Sequence, residues 1–357
     1  MFNKNKAIVH VIEATATGTL SMAAMLANSQ AKRGYDVHVI YSRRLETPSD
    51  VEGFFNQGIS LVNIKMLGLK AQLLSFFEIR EYLNNVMPDA VFMHSSIAGF
   101  IGRISTIWLP YKVYYIPHCI SFMRMDINLP KKTLFILLEC IAAAKKSTYI
   151  ACSRSEREAI MKFLPFCECL IVENAVDFKR PPEKEPGLGG KKTVVTVGQI
   201  RTQKDPLRYI EIMEAVKKRD PEVDFIWIGD GDEELKDRLK SSGVFVMGWL
   251  SKEKVWEFLF QASVYLSTSK WEGMPVSLIE ACYARLPIVA SECSGNVDVV
   301  DHGRTGFIYN NIEEAGRYIS NALAKDGFSE RQVELAFLEA RERFSSDRYV
   351  DEINRLF

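Results

Sequence analysis

The chain lacks an excess of charge of either sign, because 45 Lys and Arg residues balance 45 Asp and Glu residues among its 357. It also lacks an apolar run long enough to cross a bilayer: the longest, Thr133–Ala144, is short and contains Glu139. No secretory signal is evident near its start. We therefore expect a cytoplasmic protein that binds no nucleic acid, with peripheral contact to the inner membrane left open.

Regularly spaced cysteines are lacking as well. The seven cysteines are an odd number, and Cys167 and Cys169 have no neighbouring His or Cys cluster that would complete a zinc site. This pattern argues against a disulfide framework and indicates buried thiols in a reducing compartment. A G-x-G-x-x-G loop is also missing, which argues against a dinucleotide-dependent oxidoreductase.

What is present is a repeated alternation of short apolar runs and helical patterns. The strand pattern AIVHVI is followed by a helix over Thr19–Arg33, by Gly34 at the helix C-cap and by the strand pattern DVHVIY. Such βα repetition predicts an α/β fold with doubly wound, Rossmann-like parallel sheets. The further strand patterns are SLVNI, DAVFMH, YKVYYI, STYIAC, CLIVEN, TVVTVG, DFIWIG, VFVMG, SVYLST and LPIVAS.

A polar segment rich in Pro and Gly, Arg180–Lys192, divides these repeats into two halves. The length suits two domains, and we predict an N-terminal domain over 1–175, a C-terminal domain over 176–340 and a helical end over 341–357. Residues 1–180 carry 21 basic and 15 acidic side chains, and the remainder has the opposite excess. Either the two halves meet different ligands or the composition simply varies.

The segment SKWEGMPVSLIEA joins a predicted strand to a predicted helix. Pro275 suits the first helical turn, where its missing N–H is not needed. The amides of Gly273, Met274 and Val276 would then lie near a helix N-terminus, which favours an anion such as a phosphate. Gly273 would let that anion approach the backbone closely.

Glu272 and Glu280 flank this turn. Glu280 falls among apolar residues, where a carboxylate is costly unless it is hydrogen-bonded. A vicinal diol, such as that of a ribose, would satisfy both of its oxygens, so the segment suits a nucleotide sugar. The alternative is a capped helix in which Glu280 pairs with a nearby arginine.

This Glu-x7-Glu segment resembles the donor-site motif of the retaining glycosyltransferases of family 4, which have the GT-B fold of two Rossmann-like domains facing a cleft. The similarity covers most of the chain and is greatest to bacterial members that build O-antigen, capsule or exopolysaccharide. Seven further blocks match in order: HSSIAGFIGR, YIPHCISFMRMD, IVENAVD, VGQIRTQKDP, FIWIGDGDEELKDRL, VFVMGWLSKEKV and GNVDVVDHGRTGFIY.

The resemblance implies a retaining, metal-independent transferase without a cofactor. The C-terminal domain would bind a nucleotide-diphospho-sugar, the N-terminal domain a glycan or polyprenyl-diphosphate-linked acceptor, and the terminal helix would cross back to the N-terminal domain. No convincing nucleophile is evident, which favours a front-face mechanism. Two alternatives stay open: a nucleotide-sugar epimerase on the same fold, and a catalytically silent subunit that binds a nucleotide sugar.

The resemblance also assigns donor-site residues. Family members carry an Arg directly after the glycine of VGQIRTQKDP and a Lys five positions later, and both stabilise the leaving diphosphate. Lys204 matches, but Gln199 stands at the arginine position, so Arg201 is the candidate replacement. Glu272 would hold the sugar or phosphate end. Where the family usually has a glycine pair, the first βα loop has only Gly18.

His118, after the strand pattern VYYIP, would hydrogen-bond a hydroxyl of the transferred sugar, as the matching histidine does in the family. Without the resemblance, a lone His at a strand end is more often structural. Arg124 and Asp126 would line the acceptor side. His94 and Ser95, at the end of another strand pattern, would do the same.

Other residues are open to a structural interpretation. Asp230 and Asp232 form a D-x-D that could hold a divalent ion, but the glycines beside them favour a tight turn with Asp232 as a helix cap. Trp249 would either flank the donor base or pack in the core. Arg103 would pack or cap. Asp205–Pro206 suits the N-cap and first position of a helix.

The apolar segment LPKKTLFILLECIAAAKK has a pair of lysines at each end. Acceptors in this family are often lipid-linked, so the segment would lie on an anionic membrane surface. Alternatively, it is an amphipathic helix packed on the sheet with solvated lysines.

Overall fold

The structure, a computed structural model, describes residues 6–178, 191–324 and 330–357. The chain forms two compact units: unit 1 comprises Met1–Asn174 and Ser346–Phe357, and unit 2 comprises Ala175–Ser345. The predicted loop Arg180–Lys192 lies outside the described residues except for its last two.

Unit 1 is built on a sheet of seven parallel strands, connected by helices. The strands are β1 (Ala7–Ile12), β2 (Asp36–Tyr41), β3 (Ser60–Asn63), β4 (Ala90–His94), β5 (Lys112–Ile116), β6 (Thr148–Ala151) and β7 (Glu168–Ile171). The helices are α1 (Thr17–Lys32), α2 (Leu69–Val86), α3 (Ser96–Ser105), α4 (Leu129–Ala142) and α5 (Arg154–Phe163). The strand order is β3-β2-β1-β4-β5-β6-β7.

Unit 2 repeats this architecture with six parallel strands. They are β8 (Thr193–Val197), β9 (Asp224–Ile228), β10 (Phe245–Val246), β11 (Val264–Ser267), β12 (Ile288–Ser291) and β13 (Phe307–Tyr309), in the order β10-β9-β8-β11-β12-β13. The helices are α6 (Pro206–Lys217), α7 (Glu233–Ser241), α8 (Lys252–Gln261), α9 (Val276–Tyr283), α10 (Asn296–Val299), α11 (Ile312–Leu323) and α12 (Glu330–Arg343). The edge strand β13 escaped prediction because three residues carry too little periodicity.

The central strands are buried on both faces, which is why their sequences are apolar throughout rather than alternating. In β1, all six residues are buried, with Val9 and Val11 in one core cluster and Ile12 in another. The two clusters lie on opposite faces of the sheet because successive side chains of a strand alternate. The predicted α/β fold of doubly wound parallel sheets is confirmed.

Helix α1 shows one correct and one wrong detail of the prediction. Gly34 follows the helix with φ +87°, the left-handed conformation that a helix C-terminus favours. However, α1 begins at Thr17 rather than Thr19, so Gly18 lies in its first turn and not in the preceding loop. The βα loop before α1 therefore contains no glycine, and the donor-binding role of Gly18 stays a prediction.

The last helix, α13 (Ser346–Asn354), belongs to unit 1. Here the chain returns at Ser346, later than the predicted position 341, because α12 continues to Arg343 within unit 2 and packs against α9. Among the contacts that join the returning segment to the rest of unit 1, Arg348 donates to the Glu173 carbonyl (2.6 Å), and the Tyr114 hydroxyl donates to the Leu356 carbonyl (2.6 Å). None of the described helices is long and apolar enough to span a membrane.

The core of unit 1 contains a buried ion pair. Arg103 of α3 is fully buried and donates to a carboxylate oxygen of Glu139 on α4 (2.6 Å) and to the Gly99 carbonyl (2.7 Å). Its guanidinium also lies over the Tyr115 ring and donates to the Tyr149 hydroxyl. The predicted packing role of Arg103 is therefore confirmed.

Candidate active site

Most of the residues predicted to bind the donor lie in unit 2, whereas Gly18 belongs to unit 1. Lys204 and Glu272 meet at the carboxyl edge of the unit 2 sheet. The neighbouring strands β8 and β11 both end there, so the loops that follow them lie side by side. The β8 loop makes a 3-10 turn over Thr202–Lys204, and the Thr268 hydroxyl of the β11 loop donates to the Lys204 carbonyl (2.6 Å). The fold thus brings Lys204 beside the loop that carries Glu272.

Lys204 and Glu272 form an ion pair, with 2.9 Å between the Lys204 Nζ and the Glu272 Oε1. The same oxygen accepts from the Ser269 hydroxyl (2.8 Å), and Glu272 Oε2 accepts from the Gln203 amide (3.1 Å). Burial lowers the pKa of Lys204, but the charge and hydrogen bond of Glu272 outweigh it, so its pKa is raised. Lys204 is therefore a fixed cation at neutral pH. Sequence analysis missed the supporting Ser269 and Gln203.

The main chain of Glu272 is also fixed. Its N–H donates to the Ser294 carbonyl (3.0 Å), and Gly295 packs directly behind it with φ +83°. A Cβ at Gly295 would lie 2.6 Å from the Glu272 Cβ, so only glycine fits. The following residue, Asn296, is fully buried and donates to the Ser291 carbonyl (3.1 Å). The loop after β12, which contains Ser294 and Gly295, therefore fixes the backbone of Glu272 and with it the Lys204–Glu272 pair.

Glu280 lies on α9 and is buried, as the sequence predicted. Its carboxylate pairs with the ammonium group of Lys252 on α8. The alternative of a paired Glu280 therefore holds for the free protein, although the cation is a lysine rather than the arginine we considered. Because Lys252 already satisfies the carboxylate, burial of Glu280 alone does not require a ligand.

The start of α9 differs by one position from the prediction, because Pro275 is the N-cap and the helix begins at Val276. Gly273, Met274 and Pro275 are buried, and Val276 is half-buried. Within the described residues, the amides of Gly273 and Val276 donate to no backbone carbonyl. Donors of this kind at a helix N-terminus suit an anion.

The other residues of the β8 loop have different exposures. Gln199 is half-buried directly after β8, whereas Arg201 is exposed. Asp205 occupies the N-cap position of α6, but with φ +49° its side chain makes no capping hydrogen bond. It pairs instead with Lys270 (3.1 Å). The predicted capping role of Asp205 is therefore wrong, because the left-handed backbone turns its carboxylate toward Lys270.

The D-x-D segment is a structural turn in this chain. Asp232 caps α7 by accepting from the Leu235 amide (3.0 Å), as predicted. Asp230 pairs with the ammonium group of Lys236 (2.9 Å). Trp249 is 52% exposed, which excludes the core packing that was one of its two expected roles.

In unit 1, His118 follows β5 on a strained turn. His118 and Cys119 have φ values of +54° and +93°, which are unfavourable for residues other than glycine. The carboxylate of Glu156 holds this turn by accepting from the amides of Cys119, Ile120 and Cys152, each at 2.8 Å. Backbone strain that other groups stabilise is often found at functional sites, so the direction of the His118 side chain is of functional interest. Glu156 was not predicted, since its helix looks ordinary in sequence.

His94 and Ser95 do not form an open acceptor surface. The His94 ring is fully buried, with its two nitrogens bonded to His10 (3.0 Å) and His118 (3.1 Å). The hydroxyl of Ser95, itself buried, points to the Glu13 carboxylate (3.5 Å). The prediction that His94 contacts the acceptor is therefore wrong for this conformation, because no part of its ring is accessible.

Arg124 and Asp126 lie in the exposed segment before α4 and pair with each other. The guanidinium makes two hydrogen bonds to the Asp126 carboxylate, at 2.9 and 2.7 Å. Hydrogen bonding to Arg124 lowers the pKa of Asp126. Their role on the acceptor side stays a prediction.

Two family models match the chain and together span most of it. The model described as glycosyl transferases group 1 matches residues 177–338, and that of glycosyltransferase family 4 matches residues 17–180. The structure resembles that of Anabaena HepE in complex with UDP-glucose, with a TM-score of 0.80, 16% identity and coverage of 98% of both chains. The fold of two parallel-sheet units is therefore GT-B.

Curated relatives agree with the family models. An uncharacterised 41.2 kDa protein in the cps region of Klebsiella pneumoniae is 28% identical over 247 residues, which is 65% of this chain and 67% of the relative. The UDP-Gal:alpha-D-GlcNAc-diphosphoundecaprenol alpha-1,3-galactosyltransferase of Escherichia coli is 27% identical over 273 residues, 69% of this chain and 68% of the relative. The chain is a nucleotide-sugar-dependent glycosyltransferase of the family 4 type.

Proposed function

We propose that the chain is a retaining glycosyltransferase that transfers a sugar from a nucleotide-diphospho-sugar to a glycan or polyprenyl-diphosphate-linked acceptor in bacterial surface polysaccharide synthesis. The observation that carries this proposal is the Lys204–Glu272 ion pair, a fixed cation in the same loop cluster as the start of α9. The galactosyltransferase relative, whose name includes a diphosphoundecaprenol, supports the acceptor class. The epimerase and the silent subunit are not favoured, because the matching families are transferases.

Unit 2 binds the donor in this proposal. Lys204 and the amides of Gly273 and Val276 contact the diphosphate, as does Arg201 in place of the arginine expected at Gln199. Glu280 binds the ribose diol, and Lys252 must leave the carboxylate for that to happen. Trp249, exposed in the loop after β10, flanks the base. No metal ion or cofactor is required, because lysine and amide donors supply the positive potential that the diphosphate needs.

The chemical step in this proposal needs no protein nucleophile. The acceptor hydroxyl attacks the anomeric carbon on the face from which the nucleoside diphosphate departs. The bond between that carbon and the diphosphate oxygen breaks as the new glycosidic bond forms, and the hydroxyl proton passes to the leaving diphosphate. Lys204 stabilises the charge that develops on that diphosphate, an effect that is strong in a site with little water.

Unit 1 supplies one residue for the transferred sugar and two for the acceptor in this proposal. His118 accepts a hydrogen bond from a hydroxyl of the transferred sugar, and Arg124 and Asp126 contact the acceptor. The buried His94 acts only through His118. The chain functions in the cytoplasm, at the inner face of the membrane that holds lipid-linked acceptors.

Donor binding tests the proposal through the melting temperature, which any ligand specific to the folded state must raise. Among UDP, GDP, ADP and their sugar conjugates, we expect those of one base to raise the melting temperature, both with and without EDTA. In Glu280→Gln the donor should bind at least about tenfold more weakly, because a hydrogen bond to a charged group contributes about 1.5–3 kcal/mol. The control is Glu257→Gln, which changes an exposed carboxylate on α8. Equal donor affinity in wild type and Glu280→Gln would refute the role of Glu280.

Membrane contact is proposed for the outer face of α4. Glu139 and Ala142 of this helix are buried, whereas the apolar Leu134, Leu137 and Ile141 are 49%, 55% and 48% exposed. Lys131 and Lys132 lie in its first turn, and Lys145 and Lys146 follow its C-terminal end. An exposed apolar stripe between basic residues suits an anionic membrane surface.

Vesicle sedimentation tests this contact. We expect the protein to bind vesicles that contain an anionic lipid and to bind neutral vesicles weakly. The double variant Leu137→Glu, Ile141→Glu should lose this binding, because it places charge on the apolar stripe. Leu338→Glu, at a leucine of α12 that is 49% exposed, is the control and should bind as wild type does. Unchanged binding of the double variant would exclude α4 as the contact.

A further inference from the structure

Unit 1 contains a continuous chain of hydrogen-bonded side chains that ends at His118. The His118 Nε2 lies 3.1 Å from the His94 Nδ1, and the His94 Nε2 lies 3.0 Å from the His10 Nδ1. The His10 Nε2 lies 2.8 Å from the Gln30 Oε1. Helix α13 completes the chain, because the Gln30 amide donates to the Asn354 Oδ1 (3.1 Å).

The fold explains why these side chains meet. His10 is on β1 and His94 on the adjacent β4, while His118 follows the next strand, β5. Their rings stack in sequence, with centroids 5.3 Å apart between His10 and His94 and 5.4 Å apart between His94 and His118. Gln30 is a fully buried residue of α1. Parallel strands place the three rings in a row at one face of the sheet.

The direction of these hydrogen bonds follows from the acceptor at the buried end. With the Gln30 amide oriented so that its Oε1 faces His10 and its Nε2 donates to Asn354, the His10 Nε2 carries the proton, because a carbonyl oxygen only accepts. A neutral imidazole has one proton, so the His10 Nδ1 is an acceptor, and the His94 Nε2 must donate to it. By the same rule, the His94 Nδ1 accepts and the His118 Nε2 donates. The remaining His118 nitrogen, Nδ1, is then an unprotonated acceptor.

The three rings are neutral at pH 7. Burial lowers the pKa of His10 to about 4 and that of His118 to about 4, and it lowers the pKa of His94 as well. Because each neutral ring carries one proton, the nitrogen that is protonated in one ring determines which nitrogen is protonated in the next ring. Within the described part of the chain, His118 Nδ1 makes no hydrogen bond, and its ring is half-buried, so this nitrogen is available to a ligand.

We propose that Gln30, His10 and His94 are positioning residues that fix His118 in the Nε2–H tautomer, so that its Nδ1 meets the sugar substrate only as a hydrogen-bond acceptor. The ligand group at this position must therefore donate a hydrogen bond, as a hydroxyl does. A carboxylate or phosphate oxygen would face the lone pair of Nδ1 and be disfavoured. The choice of sugar as ligand rests on the proposed function, whereas the tautomer does not.

Nitrogen NMR of the free full-length protein, labelled with ¹⁵N at histidine, tests the tautomer directly. The chain has five histidines, and His38 and His302 lie outside the hydrogen-bonded chain and serve as internal references. We expect His10, His94 and His118 to show the coupling pattern of neutral Nε2–H rings at pH 7. A proton on the Nδ1 of His118, or a doubly protonated His118 at pH 7, would overturn the proposal.

Two substitutions test whether Gln30 sets the direction. Gln30→Met removes the acceptor, so the two ¹⁵N resonances of His118 should move toward each other as both tautomers become populated. Gln30→Glu should attract a second proton to His10 and reverse the chain, which shifts the His118 proton to Nδ1. Gln57→Met, at an exposed glutamine, should change none of the three rings. If His118 keeps its wild-type resonances in folded Gln30→Met and Gln30→Glu, then Gln30 does not act on it.

This test is independent of the transfer reaction because it uses no substrate. If His118 has the Nε2–H tautomer but the protein binds no nucleotide sugar, the positioning role of Gln30, His10 and His94 is supported and the proposed function is refuted. If the protein binds a nucleotide sugar but His118 carries its proton on Nδ1, the proposed function is supported and the positioning role is refuted.

Discussion

Lys204→Met is expected to lower kcat about 10²- to 10³-fold, the usual loss when one preorganised donor to a developing anion is removed. The methionine keeps most of the length of the side chain and removes its charge. The effect should fall on kcat more than on KM, because the charge of the leaving diphosphate grows in the transition state. Steady-state kinetics with the donor identified by thermal shift measures both constants.

The matched control for Lys204 is Lys270→Met. Lys270 lies in the same loop cluster and also forms an ion pair, with Asp205 at 3.1 Å, but its side chain is 43% exposed. We expect its kcat to stay within about threefold of wild type, because the exposed Lys270 pairs with Asp205 and not with Glu272. A fall in kcat of similar size in both variants would mean that the charge of Lys204 has no special role. In Lys204→Met the buried Glu272 is left without its cation. The double variant Lys204→Met, Glu272→Gln removes both charges and controls for this effect.

Arg103→Met is expected to destabilise unit 1 by about 3–5 kcal/mol, because it leaves the buried Glu139 carboxylate without its cation. For a unit of this size, that corresponds to a melting temperature lower by roughly 10 °C. Calorimetry or urea unfolding followed by circular dichroism measures the change. The methionine fills most of the volume of the arginine stem, which limits the cavity to the space of the guanidinium.

A double variant distinguishes the unpaired charge from lost packing. Arg103→Met with Glu139→Met removes both charges and should recover most of the stability, since a buried ion pair replaced by apolar residues is often neutral. The surface control is Arg154→Met, whose partner Glu158 lies 3.1 Å away and whose own side chain is 82% exposed. It should change stability by less than about 1 kcal/mol. A double variant no more stable than Arg103→Met would attribute the loss to packing.

Periodicity and resemblance together predicted the two-sheet fold and every described strand except β13, because buried parallel strands are apolar throughout. They also placed Lys204, Glu272 and Glu280 in one site. What they did not predict is the set of partners. Gln203 and Glu272 are 69 positions apart and meet only because β8 and β11 are neighbours in the sheet.

The histidine chain shows the same limit. His94 lies at a strand end, where side chains often reach ligands, yet its ring is enclosed by His10 and His118. A polar His10 in the middle of an apolar strand was a usable signal, because a buried polar group needs a partner. Which partner it has depends on strand order, on α1 and on α13, and periodicity specifies none of these. Likewise, Lys252 could not be assigned to Glu280 before the packing of α8 was known.

The discontinuity of unit 1 in sequence has a consequence for biosynthesis. A nascent chain emerges from the N-terminus, so β1 to β7 leave the ribosome long before Ser346–Phe357 is translated. The aromatic ring of Phe357 packs edge-on against Phe92 and at a tilt against Tyr114, contacts that cannot form before Phe357 is translated. Unit 2 is one continuous segment, Ala175–Ser345, so it needs no residues from a later part of the chain to complete its packing. Unit 1 therefore reaches its full packing last, although its first strand is made first.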